Sequence, residues 1–272
     1  MARISVYCWV VLAALAGCGR EMPLRSSSSL SVIFSDPELN VAVRRAILKP
    51  TGDILSSDLA GLRQFAAVGQ NIMSLDGVEN LTMLRGIDLS GNRIDDLSAL
   101  QDLTSLELLY LNDNGIDDLS ALADLTSLTE LDLRGNQVSD LSALAKLSSL
   151  KILYLSSNRI SDLSALAKLI SLEILYLNDN QIVDLSALTG LTSLNTLYLN
   201  ANRISDLSAL EGLTLLAELY LNNNRISDLS ALVDNPGIGP FDTVALTDNL
   251  LGEQAISTQI SMLESRRVTV RK

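Results

Sequence analysis

The residues of this sequence with chemistry to offer are 32 carboxylates and two cysteines, and no histidine accompanies them. Without imidazole there is no Ser/His/Asp or Cys/His pair, no histidine-held zinc or haem, and no histidine base working near neutral pH. An enzyme would have to run on a carboxylate pair or a bare nucleophile. The stretch Asn112-Asp113-Asn114-Gly115-Ile116-Asp117-Asp118 invites comparison with a calcium loop. Its Asn114 and Asp118, however, recur at a fixed interval along the chain, which leaves Asp113 and Asp117 as the carboxylates not already explained. No catalytic set, no metal and no cofactor are expected.

The cysteines, Cys8 and Cys18, both fall within the first 18 residues, so the remainder must fold without an internal disulfide. Arg3 precedes an apolar run from Ile4 to Ala16, the charged start and short hydrophobic stretch of a secretory signal, too short to span a bilayer. Its end, Leu15-Ala16-Gly17-Cys18, resembles the lipobox of bacterial lipoproteins. That resemblance implies a signal peptide over residues 1–17, cleavage before Cys18 and acylation of that cysteine as a membrane anchor. Gly19, where an Asp would direct retention, implies the outer membrane if the cell is Gram-negative. Residues 18–33, with Ser26-Ser27-Ser28-Ser29, read as a polar tether. About 14 flexible residues reach roughly 20 Å, enough to hold the next domain near the membrane while letting it turn.

What must be positioned beyond the tether is set by a repeat. Asp-Leu-Ser-Ala-Leu begins at Asp96, Asp118, Asp140, Asp162, Asp184, Asp206 and Asp228, always 22 residues apart. Ahead of each copy runs Leu-x-x-(Leu/Ile)-x-Leu-x-x-Asn, ending at Asn92, Asn114, Asn136, Asn158, Asn180, Asn202 and Asn224. This is the signature of the leucine-rich repeat. Degenerate copies flank the seven: Leu62, Phe65, Gln70, Ile72 and Leu75 before, Val244, Leu246 and Asn249 after. About nine turns are expected, over residues 59–249. Aromatic residues make up 4% of the chain, so leucine carries the core.

Each turn supplies a short strand, a tight turn at the asparagine and a few apolar residues on the far side. A lone repeat orders too many residues for the surface it buries, so neighbours must share an interior. The fold class is an α/β repeat: a curved leucine-rich-repeat solenoid with a parallel concave sheet and short 3₁₀ or extended convex segments. The inward asparagines should form a structural ladder, bonding backbone in their own turn and the next repeat. The recurring aspartates should act as N-caps. Asp36-Pro37 starts a helix whose Leu39, Val43, Ala46 and Ile47 share a face until Pro50, a cap within residues 34–58. Residues 250–272 should close the other end, with Ile256, Ile260 and Leu263 on one side of a helix and Val268-Thr269-Val270 as a last strand.

Repeat, helical lid and lipobox together resemble bacterial leucine-rich-repeat lipoproteins with internalin-type 22-residue repeats, over residues 15 to 270. Those relatives usually read Ile-Ser-Pro-Leu where this chain has Leu-Ser-Ala-Leu, a departure that leaves the fold intact. The resemblance implies protein binding in a bacterial cell envelope and names no ligand.

Strand side chains alternate faces, so the third, fifth and seventh places of the strand motif point outward. The fifth place holds Asp88, Tyr110, Asp132, Tyr154, Tyr176, Tyr198 and Tyr220, which takes in every tyrosine after the signal segment. Ile152 and Ile174 stand beside them, and Asn112, Asn178, Asn200 and Asn222 follow them. Glu130, Glu218, Asp113 and Asp179 add negative charge, while Arg93, Arg159, Arg203 and Arg225 mark one rim. Tyrosine gives contact area at little entropic loss and is enriched in binding surfaces. The same stack would also stabilise neighbouring strands. A net charge of −12 disfavours nucleic acid and anionic lipid surfaces. The expected partner is a protein of basic or mixed surface, met by a monomer anchored through Cys18. The competing expectation is a passive structural or adhesive envelope component.

Overall fold

The computed structural model describes residues 30–272. The signal segment, Cys18 and the serine run lie outside the described residues. Ten three-residue strands form one parallel sheet in strict chain order: β1 Gln64–Ala66, β2 Gly86–Asp88, β3 Leu108–Tyr110, β4 Glu130–Asp132, β5 Ile152–Tyr154, β6 Ile174–Tyr176, β7 Thr196–Tyr198, β8 Glu218–Tyr220, β9 Thr243–Ala245 and β10 Thr269–Arg271. Because repeats of equal length pair residue for equivalent residue, Tyr154 stands beside Tyr176, Tyr176 beside Tyr198, and Tyr198 beside Tyr220. The opposite wall is a row of 3₁₀ turns, such as Ser98–Leu100 and Ser164–Leu166, in the Ser-Ala-Leu copies. Only the last copy widens into an α-turn, α3 Ser230–Asp234.

Between the walls lies a column of leucine. Leu150, Leu153, Leu155, Ile160, Leu163, Leu166 and Leu169 of one repeat are all buried, and the same places are buried in its neighbours. The middle residue of each strand faces this interior while the residues either side face out. The turn after each strand uses a left-handed residue, glycine at Gly91 and Gly135 but Asp113, Ser157, Asp179, Ala201 and Asn223 elsewhere. In Ala201, φ is 53° and the N–H donates to Asn222 O at 2.9 Å, so the ladder holds a conformation that alanine rarely adopts.

At the N-terminal end, α1 Pro37–Ala46 is capped by Asp36, whose Oδ1 accepts from Glu38 and Leu39 N–H at 2.9 and 3.0 Å. Its Oδ2 accepts from Met73 N–H at 2.8 Å, which ties the cap to the first repeat. The buried face is Leu39, Ala42 and Val43; Ala46 is exposed and Ile47 only half-buried, because the helix ends before that turn completes. Residues at the end of the expected tether belong to the cap instead. Ser31 bridges to Leu55 in antiparallel fashion, and Val32 and Phe34 are buried. A further short helix, α2 Ser56–Leu59, buries Leu59.

At the other end a π-type turn over Ala255–Gln259 leads into α4 Ile260–Ser265, and β10 pairs with β9. The wider π turn rotates the face: Ala255, Gln259, Ile260 and Leu263 are buried while Ile256 is 48% exposed. Gln259 Oε1 accepts from Leu229 N–H at 2.9 Å, and its Nε2 donates to Asp228 Oδ1 and Ser230 Oγ at 2.5 and 3.0 Å.

Candidate functional site

The inward asparagines govern how the outer face is built. In Asn114, Nδ2 donates to Leu89 O at 3.1 Å and to Leu111 O at 3.0 Å, while Oδ1 accepts from Ile94 N–H at 3.0 Å. The same set recurs at Asn136, Asn158, Asn180, Asn202 and Asn224. Beyond the carbonyl of its own turn, the partners lie in the preceding repeat, not the next. Asn92 does the same toward the degenerate first copy, accepting from Gln70 and Ile72 N–H. The convex aspartates act one residue ahead of the helix cap: Asp96 Oδ1 accepts from Ser98 N–H at 2.8 Å, whereas the residue flanking the 3₁₀ turn is Leu97. The Ser98 N–H, and then its hydroxyl, hold the Asp96 carboxyl below its ordinary value.

These asparagine bonds have a consequence outside. The carbonyl before each ladder asparagine, such as Leu89 O, is taken by two side-chain amides, from Asn92 and Asn114. The N–H at the seventh place of the following strand motif must therefore find a side-chain acceptor. Two solutions occur. An aspartate at the fifth place reaches forward within its own repeat: Asp88 Oδ1 accepts from Ser90 N–H at 3.1 Å, and Asp132 Oδ1 from Arg134 N–H at 3.0 Å. Alternatively, an asparagine at the seventh place reaches across to the next repeat. Asn178 Oδ1 accepts from Asn200 N–H at 3.0 Å, Asn200 Oδ1 from Asn222 N–H at 2.9 Å, and Asn222 Oδ1 from Thr247 N–H at 2.9 Å. Sequence reading placed these three in the contact strip and missed this second ladder. The signal was their shared place in successive repeats.

The tyrosines are half-buried on the outer sheet face. Tyr176 and Tyr198 lie with ring centroids 4.1 Å apart at 31°, and Tyr198 and Tyr220 stack at 4.2 Å and 18°. Tyr154 meets Tyr176 edge-on, at 4.9 Å and 88°. Tyr110 stands apart, separated from Tyr154 by Asp132. Ile152 and Ile174, adjacent in register, are half-buried next to the column. Burial, then the nearby Glu130 charge, pushes the Tyr154 hydroxyl up to about 12. Burial foremost also raises Tyr110 and Tyr198.

Charge is divided across this face. Asp132, nearly inaccessible, pairs with Arg134, whose guanidinium lies 4.8 Å from the Tyr154 ring centroid. Burial raises the Glu130 carboxyl, against the Tyr110 hydroxyl that would lower it. Glu218 is exposed and accepts from the Tyr198 hydroxyl at 3.4 Å. On the opposite rim Arg93, Arg159, Arg203 and Arg225 are exposed. Among the described residues no group of acids or cysteines is arranged to hold a metal ion, and no helix is long and apolar enough to cross a membrane.

Comparison with known proteins agrees with this architecture. The family model for leucine-rich repeats matches residues 82–124, 126–168, 170–212 and 192–234. Internalin C2 of Listeria monocytogenes is 35% identical, with a TM-score of 0.75 over 84% of this chain and 100% of that one. Internalin F of the same organism is 26% identical, with a TM-score of 0.59 over 91% and 95% of the two chains. The ectodomain of the Arabidopsis thaliana receptor kinase GASSHO1/SCHENGEN3, solved in complex with Casparian strip integrity factor 2, shares the fold at 23% identity; its TM-score is 0.64 over 80% of this chain and 27% of that one. Among curated proteins none matches. With the repeat model matching over more than half of the chain and internalin C2 alike over most of it, one assignment is left: the chain belongs to the leucine-rich-repeat proteins and is of the internalin type.

Proposed function

We propose that the chain is a protein-binding module of the bacterial cell envelope, anchored through acylated Cys18, that grips a protein partner with the outer face of its sheet. The observation that carries this reading is the unbroken column Tyr154, Tyr176, Tyr198 and Tyr220, flanked by Ile152 and Ile174 and left half-open to solvent. An apolar surface of this kind, bordered by acids on one side and arginines on the other, suits a partner of basic or mixed surface. The plant ectodomain supports the reading by showing a solenoid of this fold in complex with a protein ligand.

The close stacking of Tyr176, Tyr198 and Tyr220 favours a second reading, a structural stripe in a passive or adhesive envelope protein. One experiment separates the two. The protein and a variant with those four tyrosines changed to serine serve as baits for envelope and host extracts. The proposal expects the variant to keep its circular dichroism and lose its captured partners; an unchanged set of partners would assign the column to stability alone. For the anchor, Cys18→Ser is expected to move the protein from the detergent phase to the aqueous phase on Triton X-114 partition.

A further inference from the structure

The outer face has one place where two neighbouring N–H groups find an acceptor on neither side. Residue 156 is preceded at the same place by Arg134, which has no acceptor, and its own repeat carries Tyr154 in place of aspartate. Residue 178 is preceded by Ser156, whose side chain is too short to reach across as asparagine does, and its own repeat carries Tyr176. Among the described residues neither the Ser156 nor the Asn178 N–H has an acceptor, although the equivalent groups of residues 90, 134, 200, 222 and 247 all do. Ser156 Oγ, in a residue only 8% exposed, is likewise without a partner. Asn112 N–H is similarly open but stands alone between capped neighbours. Residues 156 and 178 instead adjoin on successive strands, one strand spacing apart.

Three further observations converge here. The tyrosine stack breaks at this point, Tyr154 and Tyr176 meeting edge-on where the later pairs lie flat. Arg134, on the Tyr154 ring, and Arg159, exposed on the rim, bring positive charge to this side. Asp132 is occupied by Arg134. The protein also displays what such an N–H donates to: a carboxylate at Asp88 and Asp132, an amide oxygen at the three asparagines.

We infer that strands β5 and β6 lead into a carboxylate subsite, in which an acidic side chain of the protein partner enters beside Tyr154 and Tyr176 and accepts from the Ser156 and Asn178 N–H groups. The inference rests on the proposed function, and it fixes where an acidic residue of a mixed partner surface lands. A carboxylate fits better than an amide because its two oxygens serve donors on two strands, and because guanidinium groups stand nearby.

The test uses sodium acetate as probe, titrated into the ¹⁵N-labelled protein against sodium chloride at equal ionic strength, with amide resonances followed by NMR. The Ser156 and Asn178 resonances should shift saturably with acetate, and those of Asn200 and Asn222, already held by asparagine oxygens, should not. Ser156→Asn, which supplies the acceptor found in the later repeats, should weaken the Asn178 response about tenfold. Tyr154→Asp, which copies the arrangement at Asp132, should do the same to the amide of residue 156. Equal responses at all four amides, or an undiminished Asn178 response in Ser156→Asn, would overturn the subsite. Acetate binding together with unchanged capture by the tyrosine-to-serine bait would overturn the protein-binding reading alone. Loss of capture without acetate binding would overturn the subsite alone.

Discussion

The two halves of the sheet face solve one backbone problem in opposite ways. At β2 and β4 an aspartate caps the N–H two residues on, inside the same repeat, and its charge interrupts the tyrosine row at Asp88 and Asp132. From β6 to β9 an asparagine caps the N–H of the following repeat, which frees the fifth place for Tyr198, Tyr220 and Ala245. The choice of residue at two surface places is therefore coupled. Within the tyrosine column, Tyr198 and Tyr220 stand in repeats whose N–H is capped by the neighbour, whereas Tyr154 and Tyr176 stand where it is not.

The comparison can be broken first from inside. Asn202→Ala removes two donations to buried carbonyls and the acceptor of Ile182 N–H, and should destabilise by about 3 kcal/mol in thermal or urea unfolding. Asn136→Ala should cost about the same, because the inner ladder is identical in both halves; a large difference would show that the halves differ in their core as well. On the outer face Asp132→Ala should come next, at about 2 kcal/mol, since it strips a cap and leaves Arg134 without its carboxylate. Asn200→Ala should cost only about 1 kcal/mol, its acceptor serving one half-exposed N–H. Equal losses at Asp132 and Asn200 would remove the contrast drawn between intra-repeat and inter-repeat caps.

The smallest effects follow pH. Tyr154 keeps its proton in the fold up to about 12, above the ordinary 10.0 of an unfolded tyrosine. Its contribution to stability is thus full below 10 and is lost as pH rises through 12, and absorbance at 295 nm should show this tyrosine ionising late. Asp36 behaves in reverse. Burial alone would raise its carboxyl, but donation from Met73, Leu39, Ser74 and Glu38 N–H outweighs this and holds it below 3.8. Its contribution is present above 3.8 and fades as pH falls through the lowered value, so Asp36→Asn should flatten the acid limb of the stability profile.

The solenoid, its period and its inner ladder were readable from sequence because every repeat carries the same leucines and asparagine at the same places. The outer caps were not, because each is held by only two or three repeats and an exposed asparagine looks like solvent-facing filler. The direction of the inner bonds also escaped, since spacing alone says that neighbours touch and not which one. At the ends periodicity misled: Ala42 took the place expected of Ala46 because α1 stops early, and a π turn set Ala255 and Gln259, not Ile256, against the core.

Gln259 grips Asp228, Leu229 and Ser230, the opening of a motif that six earlier coils also carry. The lid thus recognises a coil as a type and is indifferent to how many storeys stand beneath it. Deleting one whole 22-residue unit from the middle should leave a shorter tower that closes in the same way. Length in such a chain is then a quantity that duplication and loss of gene segments can adjust without inventing a new end.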